Sequence, residues 1–197
     1  MCIDGTKKFE EESDDTFLFP DVFFTQEIEN KIETDFSEIH SINTSLLKTG
    51  IPCLLLSVKK DRKGHIRDLH QKLVSTLPAV EGIKMILYVE HTVNPNDLPV
   101  ALWRFCNNLD PKRDHILVQQ PSNKFPGKNF ACMGFDGTRK TKDLDDFHRD
   151  WPNIIVADDQ TINAIDKKWE QLGIGEFIPS PSLKYKEQLY GEEAAVQ

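Results

Sequence analysis

Residues 53–58, Cys-Leu-Leu-Leu-Ser-Val, form an apolar run that hardly alternates with polar residues. Such a run is typical of a strand that is buried on both faces of a sheet. Residues 84–89, Lys-Met-Ile-Leu-Tyr-Val, indicate a second strand of this kind. Between the two, Ile66, Leu69 and Leu73 are spaced as on one face of a helix. Buried strands that alternate with helices predict a mainly parallel sheet.

The same alternation continues toward the C-terminus. Asp97 is placed to cap a helix whose apolar positions lie within residues 98–105. Residues 115–118 and 153–156 predict two further strands. Residues 121–150, which lie between those strands, are rich in loop-forming residues and are expected to be irregular.

A final amphipathic segment covers residues 162–172. Asp158 or Asp159 is expected to begin this helix, and Gly173 is expected to end it. We therefore predict an α/β fold, with a mainly parallel sheet that is covered by helices on both faces. The α/β domain is expected to span residues 50–178.

We predict an N-terminal helical arm at residues 1–49 and a C-terminal tail at residues 179–197. Residues 9–15 are strongly acidic, which indicates a solvated linker. Phe17–Phe24 form an apolar patch that needs burial on the main domain or on a partner. Thr25 can cap a helix. The apolar face of that helix is predicted to consist of Ile28, Ile32, Phe36 and Ile39.

The composition of the 197 residues excludes several classes of protein. A net charge of -8 argues against a dedicated nucleic-acid binder, which needs a basic face. No run of about 18 apolar residues is present, so no membrane span is expected. The four cysteines are far apart and lack metal-site spacing, which predicts reduced thiols and a cytoplasmic protein.

The sequence assigns no catalytic residue and no metal ligand. The six histidines show no metal-ligand spacing; His65 and His70 are five residues apart, so they do not share a helix face. Neither common glycine-rich phosphate loop is present, and there is no Gly-x-Ser-x-Gly motif.

Two charged turns are candidates for ligand binding. Asp110–Asp114 is either a connector with local ion pairs or an anion site built from Lys112 and Arg113. Asp136-Gly137-Thr138 has residue types that favour a tight turn, because Gly137 permits a positive φ and Asp136 can accept from the next backbone amides. The weak candidates for cofactor binding are Asp136, Arg139 and Lys140.

The octapeptide 133–140, Met-Gly-Phe-Asp-Gly-Thr-Arg-Lys, is nearly repeated at residues 1–8 as Met-Cys-Ile-Asp-Gly-Thr-Lys-Lys. The N-terminal copy is either a chance match, because the Asp-Gly-Thr triplet suits any tight turn, or a second turn of the same kind. In the second case the chain is expected to begin partway through a larger protein.

Read in order, the segments from residue 50 to 175 resemble the C-terminal domain of the UbiD family of decarboxylases, which includes the 3-polyprenyl-4-hydroxybenzoate decarboxylases. The resemblance depends on the order and spacing of Asn94–Asp97, Leu102-Trp103, Asp110-Pro111, Arg113-Asp114, Gly134–Lys140, Trp151-Pro152, Trp169 and Leu172-Gly173.

The resemblance implies a non-oxidative decarboxylase that acts on an aromatic or unsaturated acid, of the polyprenyl-hydroxybenzoate type used in quinone biosynthesis. Family members use prenylated flavin mononucleotide with a divalent metal and potassium. Their metal ligands and their catalytic glutamate–arginine–glutamate set lie in a preceding flavin-binding region, which has no counterpart here. This chain is then expected to support oligomerisation, to need that region as its partner, and to be inactive alone.

Three positions depart from the family pattern. Residues 90–94, Glu-His-Thr-Val-Asn, replace an acidic cluster that commonly follows the strand. Leu77 stands where some members have a phosphate-contacting lysine, and Gly137 stands where alanine is usual. Two other hypotheses therefore remain open, which are a stand-alone oligomerisation module and an independent nucleotide- or phosphate-binding protein.

Overall fold

The computed structural model describes residues 25–77, 80–124, 126–149, 154–189 and 195–196. The chain separates into two compact units, residues 1–149 and residues 150–197. The predicted N-terminal features, which are the acidic linker, the Phe17–Phe24 patch and the first Asp-Gly-Thr turn, lie outside the described residues. No helix in the described part is long and apolar enough to cross a membrane.

The first unit contains five helices and five strands among its described residues. In chain order these are α1 (Thr25–Asp35), β1 (Ile39–Asn43), α2 (Ser45–Lys48), β2 (Cys53–Val58), α3 (His65–Thr76), β3 (Met85–Glu90), α4 (Leu98–Asn108), β4 (His115–Pro121), β5 (Asn129–Asp136) and α5 (Lys142–Asp145). The described part of the second unit contains β6 (Val156–Ala157), α6 (Asp159–Asp166), α7 (Trp169–Leu172), a 3-10 helix (Pro181–Gln188) and β7 (Ala195–Val196).

The strands of the first unit form one sheet in the order β1-β2-β3-β5-β4. Strand β2 pairs with β3, and β3 pairs with β5, in parallel. The edge strands β1 and β4 are antiparallel to their neighbours. The predicted α/β fold is thus confirmed, with the parallel pairing at the centre of the sheet.

Helices cover both faces of this sheet. On one face, the apolar side chains of α1 and α3, including Ile28, Leu69 and Leu73, pack with Leu54 and Leu56 of β2. On the other face, Ala101 and Phe105 of α4 belong to a second apolar cluster with Leu55, Val89 and Phe135. Successive strand residues point to opposite faces of the sheet, so the apolar run of β2 supplies buried side chains to both clusters.

Strand β5 lies within residues 121–150, which the sequence predicted to be loop-rich, and that prediction was wrong. Gly134 in the middle of β5 conceals the strand, because glycine weakens strands and usually marks turns. In the fold, a Cβ at Gly134 would lie only 2.7 Å from Nδ1 of His70. Glycine is therefore required here to admit the imidazole of α3 against the sheet.

Three other boundaries differ from the predictions. Helix α1 ends at Asp35, and Ile39 begins β1 instead of continuing the apolar face of the helix. Of the strand predicted at residues 153–156, only Val156–Ala157 is a described strand, in parallel with β7. The last helix begins after Asp158, as expected, but is broken into α6 and α7 before it ends at Gly173.

Candidate functional site

The carboxyl ends of β2, β3 and β5 meet at one edge of the sheet, which is where open α/β sheets usually bind ligands. A cleft of about 300 Å³ lies there. Its walls come from the segment after β2, the start of α3, the residues before and within β4, the end of β5, and α5. Seven charged side chains line it, in addition to His65.

Asp136, the last residue of β5, forms the predicted turn, because its Oδ1 accepts from the backbone N–H of Thr138 at 3.0 Å. The prediction for Gly137 was wrong, since Gly137 is not among the glycines with positive φ. A Cβ at Gly137 would lie 2.4 Å from Phe105 Cδ2 and 2.9 Å from the carbonyl oxygen of Tyr88. Close packing, and not backbone conformation, selects glycine at this position.

Lys140 turns back into the protein and is buried. Its Nζ donates to the carbonyl oxygens of Asp136 at 2.7 Å and Thr138 at 3.0 Å. It also pairs with Asp136 Oδ1 at 3.0 Å and lies 3.6 Å from Asp114 Oδ1. The ammonium therefore holds the turn together from beneath, while Asp136 lines the cleft.

Lys60, two residues beyond β2, is the second buried ammonium of the site. Its side chain is 4% exposed and contacts both carboxylate oxygens of Asp145, at 2.7 and 2.8 Å. It also donates to Thr138 Oγ1 at 3.1 Å and to the carbonyl oxygen of Arg139 at 2.9 Å. Lys60 was not identified as a site residue from the sequence. The signal that could have done so is the pair Lys59-Lys60, which directly follows the buried strand β2.

Arg113 is the one member of the predicted Lys112–Arg113 anion site that lines the cleft. Its Nε and Nη2 form a bidentate pair with Asp114, both at 2.7 Å. Asp110 accepts from the backbone N–H of Lys112 at 2.9 Å, as the predicted turn requires. The connector interpretation with local ion pairs therefore accounts for the contacts of this segment.

Burial opposes ionisation of Asp136, but the charges of Lys140 and Lys60 and the hydrogen bonds from Thr138 and Lys140 outweigh it. The pKa of Asp136 consequently lies below its ordinary value. The Asp136 carboxylate is therefore ionised at neutral pH.

His70 lies in the core, away from the charged cluster. Its Nδ1 is 2.9 Å from the Tyr88 hydroxyl, and its Nε2 is 3.3 Å from the carbonyl oxygen of Cys132. Burial lowers the pKa of His70 to about 4. The described residues contain no cluster of three or more His, Cys, Asp or Glu side chains suited to a metal ion.

Comparison with known proteins identifies the family. The sequence model of one protein family, the 3-octaprenyl-4-hydroxybenzoate carboxy-lyase C-terminal domain, matches residues 23–127, which is more than half of the chain. The chain belongs to this family, the C-terminal domain of the UbiD decarboxylases. The match begins within the residues that we assigned to the N-terminal arm and includes all of β1, β2 and β3.

Two solved structures of one decarboxylase share the fold of this chain, and a third structure is less similar. The vanillic acid decarboxylase of Sedimentibacter hydroxybenzoicus in its closed form has a TM-score of 0.55 and 17% identity, over 75% of this chain and 31% of that one. Its open form has a TM-score of 0.51 and 18% identity, over 75% of this chain and 32% of that one. The third structure is an evolved dimeric form of the UbiD-class enzyme HmfF from Pelotomaculum thermopropionicum, in complex with prFMN. It has a TM-score of 0.45 and 15% identity, over 64% of this chain and 26% of that one. This chain thus spans about a third of the length of the solved enzymes.

Proposed function

We propose that this chain is the C-terminal, assembly-supporting part of a UbiD-like decarboxylase that acts on an aromatic or unsaturated carboxylic acid. The family match carries the proposal, since the matching family is the C-terminal domain of carboxy-lyases. The short span relative to the solved decarboxylases supports it. The prenylated flavin, divalent metal and potassium would be bound by a flavin-binding partner region, in the cytoplasm, where the free thiols of Cys53, Cys106 and Cys132 suit reducing conditions.

The charged cluster suits a supporting role. Lys60, Lys140 and Asp114 are buried and occupied by contacts within this unit. Such a cluster fixes the loops at the carboxyl edge of the sheet in one arrangement. We propose that Asp136 and Lys140 act on the cofactor through the shape of this edge, and that Arg139, which is partly exposed, is the candidate for direct contact.

The test is reconstitution with the flavin-binding region of a UbiD-class enzyme loaded with prenylated flavin. Because vanillic acid is the substrate named for the similar decarboxylase of Sedimentibacter hydroxybenzoicus, it is the first substrate to assay. We expect carbon dioxide release only when both parts are present. A correctly assembled, cofactor-loaded complex without activity on any aromatic acid would refute the enzymatic proposal.

The second candidate function is a stand-alone oligomerisation module. The observation that favours it is the exposed apolar surface of the second unit, where Ile155, Ile174, Phe177 and Ile178 are each more than half exposed. Large exposed apolar patches are typical of association surfaces. Light scattering at micromolar concentration should show a dimer or larger species, and the paired substitution Phe177→Ser with Ile178→Ser should shift it toward monomer. A wild-type chain that is only monomeric would exclude this function.

A further inference from the structure

We propose that the cleft at the start of α3 binds a phosphate group. Helix α3 has twelve residues, and Gly64 precedes it in the left-handed region, at φ +75°. Glycine has no capping side chain, so no side chain caps the start of the helix, although the first amide, that of His65, donates to the carbonyl oxygen of Arg62 at 3.3 Å. The amides and the helix dipole together favour an anion at this end.

The charges of the cleft leave a cationic excess. Lys60 is balanced by Asp145, Arg113 by Asp114, and Asp136 by Lys140 beneath it. The two remaining charged groups of the lining are those of Lys63 and Arg67. Neither side chain forms an ion pair within the described part of the chain. Both are exposed and flank the start of α3, so they can close over a bound dianion.

His65 supplies the independent observation that points to a ligand. It is the first residue of α3, is 1% exposed, and lines the cleft. Its Nδ1 accepts from the backbone N–H of Asp61 at 3.2 Å and lies 2.9 Å from Asp61 Oδ1, and its buried Nε2 has no hydrogen-bond partner among the residues that the structure describes. Because Nδ1 accepts the Asp61 amide, the ring proton lies on Nε2, and a phosphate oxygen would accept from this otherwise unpaired buried donor.

The nearby carboxylates outside the cleft are already engaged. Asp61 contacts His65 and Arg62, and Asp68 contacts Arg62. Arg62 offsets one of these two negative charges, so the two unbalanced cations, Lys63 and Arg67, still leave a positive balance at the helix start. The ligand chemistry that fits is a phosphate dianion, either as inorganic phosphate or as the phosphate of a small phosphomonoester. This inference does not rest on the decarboxylase proposal.

The test is calorimetric titration of the full chain with inorganic phosphate at constant ionic strength. The paired substitution Lys63→Gln with Arg67→Gln removes the two unbalanced charges and should weaken binding about tenfold. The matched control, Lys31→Gln with Lys124→Gln, removes two exposed charges of the same unit that do not line the cleft, and should change binding less than about twofold. The absence of saturable heat for the wild type, or equal binding by the two double variants, would overturn the proposal.

A second readout reports on His65 directly. Titration with phosphate should shift the ¹⁵N resonance of His65 Nε2 saturably, with the dissociation constant found by calorimetry. A resonance that does not move at saturation would also overturn the proposal. Methyl phosphate distinguishes the sources, because binding as tight as that of inorganic phosphate supports a phosphomonoester, whereas loss of binding supports free phosphate.

Discussion

At the scale of single residues, each position of the sequence Asp-Gly-Thr-Arg-Lys at residues 136–140 makes a defined contact in the folded chain. Asp136 accepts the turn amide, Gly137 fits against Phe105, and Thr138 accepts from Lys60. The Arg139 carbonyl accepts from the same ammonium, and Lys140 closes the turn from below. The side chains of Asp136, Thr138 and Lys140 are each held by a hydrogen bond or ion pair, so most of the motif has a structural role.

Substituting Asp136→Asn should destabilise the protein by about 3–5 kcal/mol, because it leaves the buried ammonium of Lys140 without its closest carboxylate. Urea unfolding at pH 7 measures this change. The matched control is Asp159→Asn, which breaks the exposed pair with Lys186 and should cost less than about 1 kcal/mol.

The cost of Asp136→Asn should depend on pH. The pKa of Asp136 is lowered by folding, so its contribution is present above the unfolded pKa of about 3.9 and is lost as the pH falls through the folded value. The difference in unfolding free energy between wild type and variant should therefore shrink below about pH 4. An unchanged difference would contradict the assigned ion pair.

His70 should give a separate pH dependence. Its pKa of about 4 lies below the unfolded value of 6.5, so the unfolded chain binds a proton first as the pH falls. Stability should then decrease between about pH 6.5 and pH 4, by about 3 kcal/mol in total. Urea unfolding across this range measures the slope, which His70→Gln should reduce. An equal slope in both proteins would mean that other groups cause it.

At the scale of elements, α5 is the shortest helix at the site, and an ion pair and two hydrogen bonds hold it in place. Its Asp145 pairs with Lys60 and accepts from the backbone N–H of Thr141 at 2.8 Å. Thr141 Oγ1 in turn accepts from the N–H of Leu144 at 3.2 Å, which caps the helix. A single turn of helix is marginal by itself, so these contacts hold it at the sheet edge.

Substituting Asp145→Asn should cost about 3 kcal/mol or more, since it leaves Lys60 buried without its carboxylate. Asp143→Asn is the matched control, because Asp143 lies on the same helix, is exposed, and undergoes the same change of charge. Urea unfolding and amide exchange of residues 141–147 measure the effect. Equal destabilisation by the two variants would show that α5 is not held by this pair.

The elements that the sequence predicted are those whose burial is encoded locally. Strands β2 and β3 are apolar at nearly every position, and α3 and α4 have a clear apolar face. Strand β5 was missed because Gly134 and the following turn resemble a loop. Its place between β3 and β4 depends on contacts with α3 that no local pattern reports.

At the scale of the whole molecule, both apolar clusters belong to the first unit, between Ile28 and Phe135. A fragment of residues 1–149 should therefore unfold cooperatively in urea, with a core like that of the full chain. Its far-ultraviolet circular dichroism and its unfolding slope measure this. A fragment without a cooperative transition would show that residues 150–197 are needed to complete the fold.

The sequence by itself determined the α/β class, strands β2 and β3, helices α3 and α4, and the resemblance to the UbiD C-terminal domain. These properties follow from periodicity and motif order, which are local. Only the tertiary structure decided which charges meet. Lys60 and Asp145 are 85 residues apart, and Asp114, which precedes β4, meets Lys140, which follows β5. Parallel strands bring their carboxyl ends to one edge of the sheet, and this geometry, unlike periodicity, exists only in the folded chain.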